Sequence, residues 1–389
     1  MEDNNTRIIN ILVILAIVAI WYGILPVAGA FYNRGKWKRF RNRFDELRAA
    51  PLLDYRRYRQ LEGEGGVFRF TGGIESITDG HTLWARGEDL TIPVYLQKTK
   101  CFLLTTGEDD GIPKAPEQIR WNRVSTLTEG AKVFIGGQIK IRNNRMSFCT
   151  TKEKPLMVIF YNCPEAELTD CLIRAARTSN EYWNSFTPIS LAIGALALIY
   201  MAASFLGRPA FRLTVISALI AIFLPVLPLI PPGILLTGLY RRMTWQARKL
   251  RTYWDLARLP IRYLLPGYPE RQSALLGTGE KYGYVKLDSP PAQEAAPWLI
   301  PESQEQENKS ELYFFGVLAT QAGEGSALPQ RSKDPFVSFG ILPADPAQLA
   351  RRYAIKAYAL EALAWFILFL GIIVNAGFIV FILYLLRNT

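Results

Sequence analysis

Ile8–Phe31, IINILVILAIVAIWYGILPVAGAF, runs straight into Tyr32–Phe44, YNRGKWKRFRNRF. An apolar run of about 24 residues is long enough to cross a hydrocarbon core of about 30 Å as a helix. The basic cluster behind it marks the side on which the crossing stops. Three further stretches, Pro188–Leu206, Phe211–Tyr240 and Ala359–Leu386, have the same apolar character. Only 20% of the 389 residues are charged, and the charges fall almost entirely between the stretches. The expected class is an α+β membrane protein. Four transmembrane helices carry a β-rich cytoplasmic domain and a smaller second α+β cytoplasmic segment.

Orientation follows from the basic residues. Arg34, Lys36, Lys38, Arg39, Arg41 and Arg43 crowd the end of the first stretch, and Arg48, Arg56, Arg57 and Arg59 extend the cluster. Arg241, Arg242, Arg248, Lys249 and Arg251 follow the third, and Arg351, Arg352 and Lys356 precede the fourth. The opposite flanks hold only Arg7, Arg208, Arg212 and Arg387. The positive-inside rule then places both large loops in the cytoplasm and both termini outside. Ala28-Gly29-Ala30 has the pattern of a signal-peptide cleavage site, but the run is too long and its leading segment carries Glu2 and Asp3, so an uncleaved anchor is expected. The divisions are an anchor (1–33), a basic amphipathic juxtamembrane segment (34–61), a β-rich domain ending in a helix (62–186), a transmembrane hairpin (187–240), a second cytoplasmic segment (241–358) and a last transmembrane helix (359–389).

The third stretch contains Pro225, Pro228, Pro231, Pro232 and Gly233. Proline removes a backbone donor and clashes with the preceding turn, so a kinked, tilted span is expected. The competing possibility is a broken helix lining a transport path. Such paths usually carry intramembrane charge, and here Asn375 is the clearest deep polar group.

Between the spans, Val67–Phe70, Thr91–Leu96, Lys132–Arg142, Arg145–Cys149 and Pro155–Phe160 have strand patterns. Asn143-Asn144 suits a two-residue hairpin turn, because asparagine tolerates positive φ. A helix is expected over 166–184, with Leu168, Leu172, Ala175 and Ala176 on one face. In the second segment, Tyr282–Leu287, Glu311–Leu318 and Pro335–Phe339 suit strands, Ser289–Ser310 has the composition of a flexible insertion, and a helix starts at Pro346. Gly136 and Gly316, Pro155 and Pro335, and Leu168 and Leu349 fall in the same order in the two segments, which suggests a partial internal repeat.

The order of anchor, β-rich domain, strand, amphipathic helix and second span resembles the GIDE, or beside-a-membrane, domain of MULAN-type membrane ubiquitin ligases and their bacterial relatives. The similar parts are Gly130–Gly137, the Asn143-Asn144 hairpin, the Pro155 strand and the Glu167-to-Ser190 helix and span. Pro335–Gly340 with Gln348–Tyr353 resembles the same ending a second time. The ligases end in a RING, which this chain lacks, so ubiquitin transfer does not carry over. The resemblance implies a membrane-proximal interaction module, of a bacterial inner membrane. In the ligases this domain faces the intermembrane space, against the cytoplasmic placement given by the local charges.

Chemical motifs are few. Cys101, Cys149, Cys163 and Cys171 lack the close pairing of a zinc site, and His81 is the one histidine. The cysteines suit buried small hydrophobes. A Cys163–Cys171 disulfide is open only if the domain lies outside the cytoplasm. Gly277–Gly283 lacks the spacing of a phosphate loop. Asp109 and Asp110 sit in an acidic turn that could serve a hydrolase or transferase. No cofactor, metal or catalytic residue is expected. The net charge of +11 is concentrated beside the spans, which points to anionic lipid headgroups. Trp37, Phe40 and Phe44, and later Trp245 and Trp254, are expected to anchor amphipathic helices in the interface. Basic and aromatic residues also suit nucleic acid, as a minor alternative. The expected function is a non-enzymatic scaffold or adaptor that recruits a protein partner at the membrane and can self-associate. A transport component using the third span and a membrane hydrolase or transferase are the alternatives.

Overall fold

The computed structural model describes residues 2–61, 66–79, 81–105, 116–126, 130–142, 145–151, 153–178, 184–229, 233–264, 267–276, 279–289, 297–300, 311–318 and 328–388. Helix α1 (Glu2–Val18) passes through a π-helical turn, Ala19–Ile24, into α2 (Leu25–Arg48), and α3 (Tyr55–Gln60) follows. Next come β1 (Val67–Thr78), β2 (Thr82–Arg86), β3 (Thr91–Tyr95), β4 (Lys100–Leu104), β5 (Glu117–Ile119), β6 (Lys132–Arg142), β7 (Arg145–Cys149) and β8 (Met157–Tyr161). Helices α4 (Leu168–Thr178), α5 (Thr187–Phe205), α6 (Arg212–Ile222), α7 (Gly233–Arg258) and α8 (Ile261–Leu264) lead to β9 (Ser273–Leu275), β10 (Lys281–Leu287), β11 (Leu312–Val317) and β12 (Gly340–Leu342). The last element is α9 (Pro346–Asn388). The chain is thus α+β. It forms two compact units: Met1–Arg39 with Ser179–Ala247 and Lys356–Thr389, and Phe40–Thr178 with Arg248–Ile355.

The first unit is helical. Ile8–Arg48, Thr187–Phe205, Pro209–Val226 and Pro346–Asn375 are each long and apolar enough to cross a membrane. Ile14, Tyr22, Leu198, Val215 and Ala218 pack α1, α5 and α6 together. The π turn has a local cause. Pro26 has no N–H to give to the preceding turn, and Ser190 Oγ donates to the Trp21 carbonyl instead. Asn184 Nδ2 covers the Pro26 carbonyl at 3.1 Å.

The third stretch departs from the expected kinked span, because the helix is interrupted. Helix α6 ends at Ile222, a 3-10 segment occupies Leu224–Leu229, and α7 begins at Gly233. Pro225 and Pro228 lie within the 3-10 segment, where α-helical bonding cannot continue. Asn375 is buried and accepts the Gly233 N–H at 3.0 Å. The deep polar group therefore caps the helix that restarts after the break.

In the second unit, β1, β2, β3, β7 and β6 close into a barrel. β1 pairs antiparallel with both β2 and β6. β2–β3 and β6–β7 are antiparallel, and β3 meets β7 in parallel at Val94–Phe148. This strand order is that of an OB-type Greek-key barrel. Ile92, Val94, Val133, Ile135, Ile139 and Phe148 fill its interior. β8 extends the sheet from β6, and β4 and β5 follow it. Arg142 faces Arg145 across the β6–β7 pair; the Asn143-Asn144 turn itself lies outside the described residues.

β9 to β12 form a separate antiparallel sheet, in the order β12-β11-β10-β9. β10, β11 and β12 pair in the same antiparallel sense as β1, β6 and β8, and each set leads into a helix. Gly316 faces Gly283 where Gly136 faces Arg69. The second set departs at Pro335–Phe339, which is a turn rather than the expected strand. The Asp334 side chain accepts the Phe336 N–H at 3.0 Å and bends the chain there. Of the insertion expected over Ser289–Ser310, the described residues are 289 and 297–300. Trp298 bridges to Ile341, and Ile300 is fully buried.

Candidate recognition cleft

The residues expected to touch lipid divide into two groups. Phe40 and Phe44 are buried in protein rather than anchored in an interface. Phe40 packs edge-on against Phe102 of β4 at 4.6 Å, and Phe44 against Phe134 of β6 at 5.3 Å. One turn on, Leu47 sits over Gly136, where an added Cβ would lie 2.8 Å from its Cδ1. Phe134 and Gly136 are on one face of β6, so this end of α2 seals the outside of the sheet. Arg41 approaches Asp255 at 3.9 Å. Arg43 pairs with Glu46 at 3.0 Å and donates to the Pro155 carbonyl at 3.2 Å. Arg251 is buried. Arg41 and Arg43 thus have partners within the protein, besides any headgroup they meet.

Lys38, Arg39, Arg241, Arg242 and Lys249 are exposed. Arg34, Lys36 and Arg248 are half-buried. Trp37 is half-buried beneath Lys36 Nζ, 5.4 Å from its ring centroid, and Trp245 is exposed. Trp254 packs onto the second core, beside Leu256 and Leu259, with Arg258 over its ring at 5.6 Å. It too is partly claimed by protein.

A cleft of about 640 Å³ opens where β1 and β2 meet the start of β6, the end of β8 and residues 333–335. Sequence reasoning missed it. Its lining combines Asp54, Glu88, Asp89 and Glu165 with Arg86, Lys132 and Lys333. Gly72, Gly73, Gly87 and Gly130 form much of its floor. At Gly72 a side chain would collide with the Arg86 carbonyl, and Gly130 has φ +82°, so glycine is required at both.

Asp334, between the lining residues Lys333 and Pro335, forms a buried ion pair with Arg69 of β1. Arg69 also donates to the Ala50 carbonyl at 2.8 Å and lies over the Phe336 ring at 4.9 Å. The pair ties the barrel to the segment before β12. Burial and the nearby Glu165 and Cys163 push the Tyr161 hydroxyl well above its ordinary pKa, so it stays protonated. Two residues beyond Tyr161, Cys163 is buried, as is Cys171 of α4.

A charged, glycine-floored cleft can bind a ligand with both signs of charge. Among the described residues no three metal-ligating side chains come together. His81 packs edge-on to Trp121 at 6.5 Å. Asp109 and Asp110 lie outside the described residues. No family model, curated protein or solved structure matches this chain.

Proposed function

We propose that this is an integral membrane scaffold or adaptor whose second unit holds a partner protein at the cytoplasmic face. The observation that carries this is that residues 40–178 and 248–355 fold as one unit although α5 and α6 lie between them. Arg262 pairs with Asp45, and Arg69 with Asp334, across that gap in sequence. One folded body must lie on one side of a bilayer, so the chain between 178 and 248 crosses an even number of times.

Membrane insertion is supported by outward apolar side chains. Ile8, Leu12, Ile189, Leu196, Phe366 and Ile373 are more than half exposed. Exposed apolar surface on this scale needs a lipid or protein cover. The basic residues left exposed, Lys38, Arg39, Arg241, Arg242 and Lys249, suit anionic headgroups and a cytoplasmic face. The GIDE resemblance belongs to the same proposal; it rests on the order of anchor, β-rich domain, strand, amphipathic helix and second span. The cleft is the docking site offered to the partner. A transport component remains the alternative, because the third stretch is interrupted, although Asn375, the deep polar group, caps the helix that restarts after the break.

The test is photocrosslinking in intact membranes from a benzophenone residue at Glu88, on the rim of the cleft. The expected result is one recurrent protein adduct that disappears when Arg86→Glu and Lys333→Glu are introduced together. Adducts to lipid alone, or an adduct unchanged by the charge reversal, would overturn the docking role.

A further inference from the structure

Arg48, the last residue of α2, puts a positive charge inside the second unit. It is only 4% exposed, and its Nε and Nη1 are buried with no hydrogen-bond partner. Carboxylates in this part of the unit are already engaged: Asp45 by Arg262, Glu46 by Arg43, Asp255 by Arg41 and Asp334 by Arg69. A buried guanidinium is expensive unless it is paired, so a fold that keeps one supplies it with a counter-charge.

The surroundings form a closed circuit of contacts. Arg48 Cζ lies 5.5 Å from the centroid of the Tyr263 ring. The Tyr263 hydroxyl donates to the Phe336 carbonyl at 3.0 Å. The Phe336 ring lies under Arg69, whose Cζ is 4.9 Å from its centroid. Arg69 Nε donates to the Ala50 carbonyl at 2.8 Å, and the Ala50 N–H donates to the Leu47 carbonyl at 3.1 Å, beside Arg48 again. Charge on this circuit is uneven. Arg48 and Arg69 bring two positive charges, and Asp334 brings one negative. Asp334 is fully used, since one carboxylate oxygen pairs with Arg69 and the other accepts the Phe336 N–H at 3.0 Å. Arg69 Nη1 is a further buried donor without a partner. Tyr282 packs 4.8 Å from Tyr263 between ring centroids, and its buried hydroxyl has no partner either. Burial, with the neighbouring Tyr263, holds the Tyr282 proton well above its ordinary pKa, so this ring offers a donor and not a counter-charge.

We infer that Arg48 binds one small monovalent anion, of halide size, at the seam between the two stretches of chain that build the second unit. One negative charge is what the circuit lacks, and the unpartnered nitrogens are all donors. A phosphate-like anion would bring more charge and bulk than suits a place where Leu47, Leu264 and Tyr282 are fully buried. The anion accepts from Arg48 Nε and Nη1 and is taken up as α2 and α8 close on one another. It belongs to what joins residues 40–178 to 248–355, and it does not depend on what docks in the cleft.

The experiment follows thermal unfolding of the full chain in detergent, in sodium chloride and in sodium gluconate at equal ionic strength. The midpoint is expected to rise by at least about 3 °C between about 1 and 100 mM chloride, and bromide should reproduce the rise where gluconate does not. Arg48→Met should abolish the dependence while unfolding no earlier than the unaltered chain in gluconate. Crystals of the unaltered chain soaked in bromide should show an anomalous peak within hydrogen-bond reach of Arg48 Nε or Nη1, which decides the matter even where Arg48→Met fails to fold. Equal midpoints in chloride and gluconate would overturn the inference. So would a chloride dependence that survives Arg48→Met, or water alone beside Arg48 in the bromide-soaked crystals.

Discussion

Arg69 and Asp334 are a buried pair whose partners come from opposite ends of the second unit. Removing one member strands the other. Arg69→Ala or Asp334→Ala should each cost about 3–5 kcal/mol of unfolding free energy in detergent. Arg69→Met with Asp334→Leu together should recover most of that loss, because the desolvation of both charges goes as well. Equal losses for single and double variants would show that the pair matters through its other contacts. Cys101 makes a second point at this scale. Burial pushes its thiol up to about 12, so it should resist alkylation at pH 8 in the folded protein and react after denaturation, measured by mass. The burial of Cys101 was expected from its residue type, but the ion pair was not legible beforehand. An arginine inside a strand pattern and an aspartate before a proline reveal nothing of each other 265 residues apart.

At the scale of elements, α2 shows how an amphipathic pattern can be read correctly and assigned to the wrong neighbour. Phe40, Phe44 and Leu47 do share a face, and helical spacing is enough to see it. Whether that face meets lipid or a sheet depends on Gly136, which leaves room for Leu47 on β6. Leu47→Ala should destabilise the protein by about 2–5 kcal/mol while leaving membrane association intact, as judged by denaturation and alkaline extraction. A helix held mainly by lipid would give the reverse. Asn375→Ala should cost about 0.5–2 kcal/mol by leaving the Gly233 N–H without its cap, and Asn375→Asp or Asn375→Ser should retain part of it. β6 and β7 were visible because their alternation is long and clean. β2, β4 and β12 were not, being short strands buried on both faces. The interruption after Ile222 was foreshadowed by its prolines, but its cap lies on another helix.

For the whole molecule, stability should depend on pH on the alkaline side. Burial raises Cys101, Tyr161 and Tyr282, and Tyr268 is raised by burial together with its hydrogen bond to Asp345. Groups with a raised folded pKa bind protons more tightly when folded. Their contribution is full below their unfolded values of about 8.5–10 and is lost as pH rises through the folded values. Unfolding free energy in detergent should therefore be level to about pH 8 and fall steadily toward pH 12. A flat profile to pH 12 would contradict this. The apolar stretches and their basic flanks were plain in the sequence, since lipid solvation demands length and charge asymmetry. What was hidden is that the two loops build one unit, because the ion pairs and cores that join them are formed by residues with no shared local pattern.

That union is tested most directly by labelling from each side of the membrane. Single cysteines are placed by Lys98→Cys, Lys333→Cys or Arg208→Cys in a chain whose own four cysteines are serine, and an impermeant maleimide is applied to sealed vesicles of both orientations. Lys98 and Lys333 belong to the two parts of the second unit, and Arg208 to the exposed turn between α5 and α6. The account predicts that the first two positions label together from the cytoplasmic side and Arg208 from the other. Labelling of Lys98→Cys and Lys333→Cys from opposite sides, or of all three from one side, would contradict it.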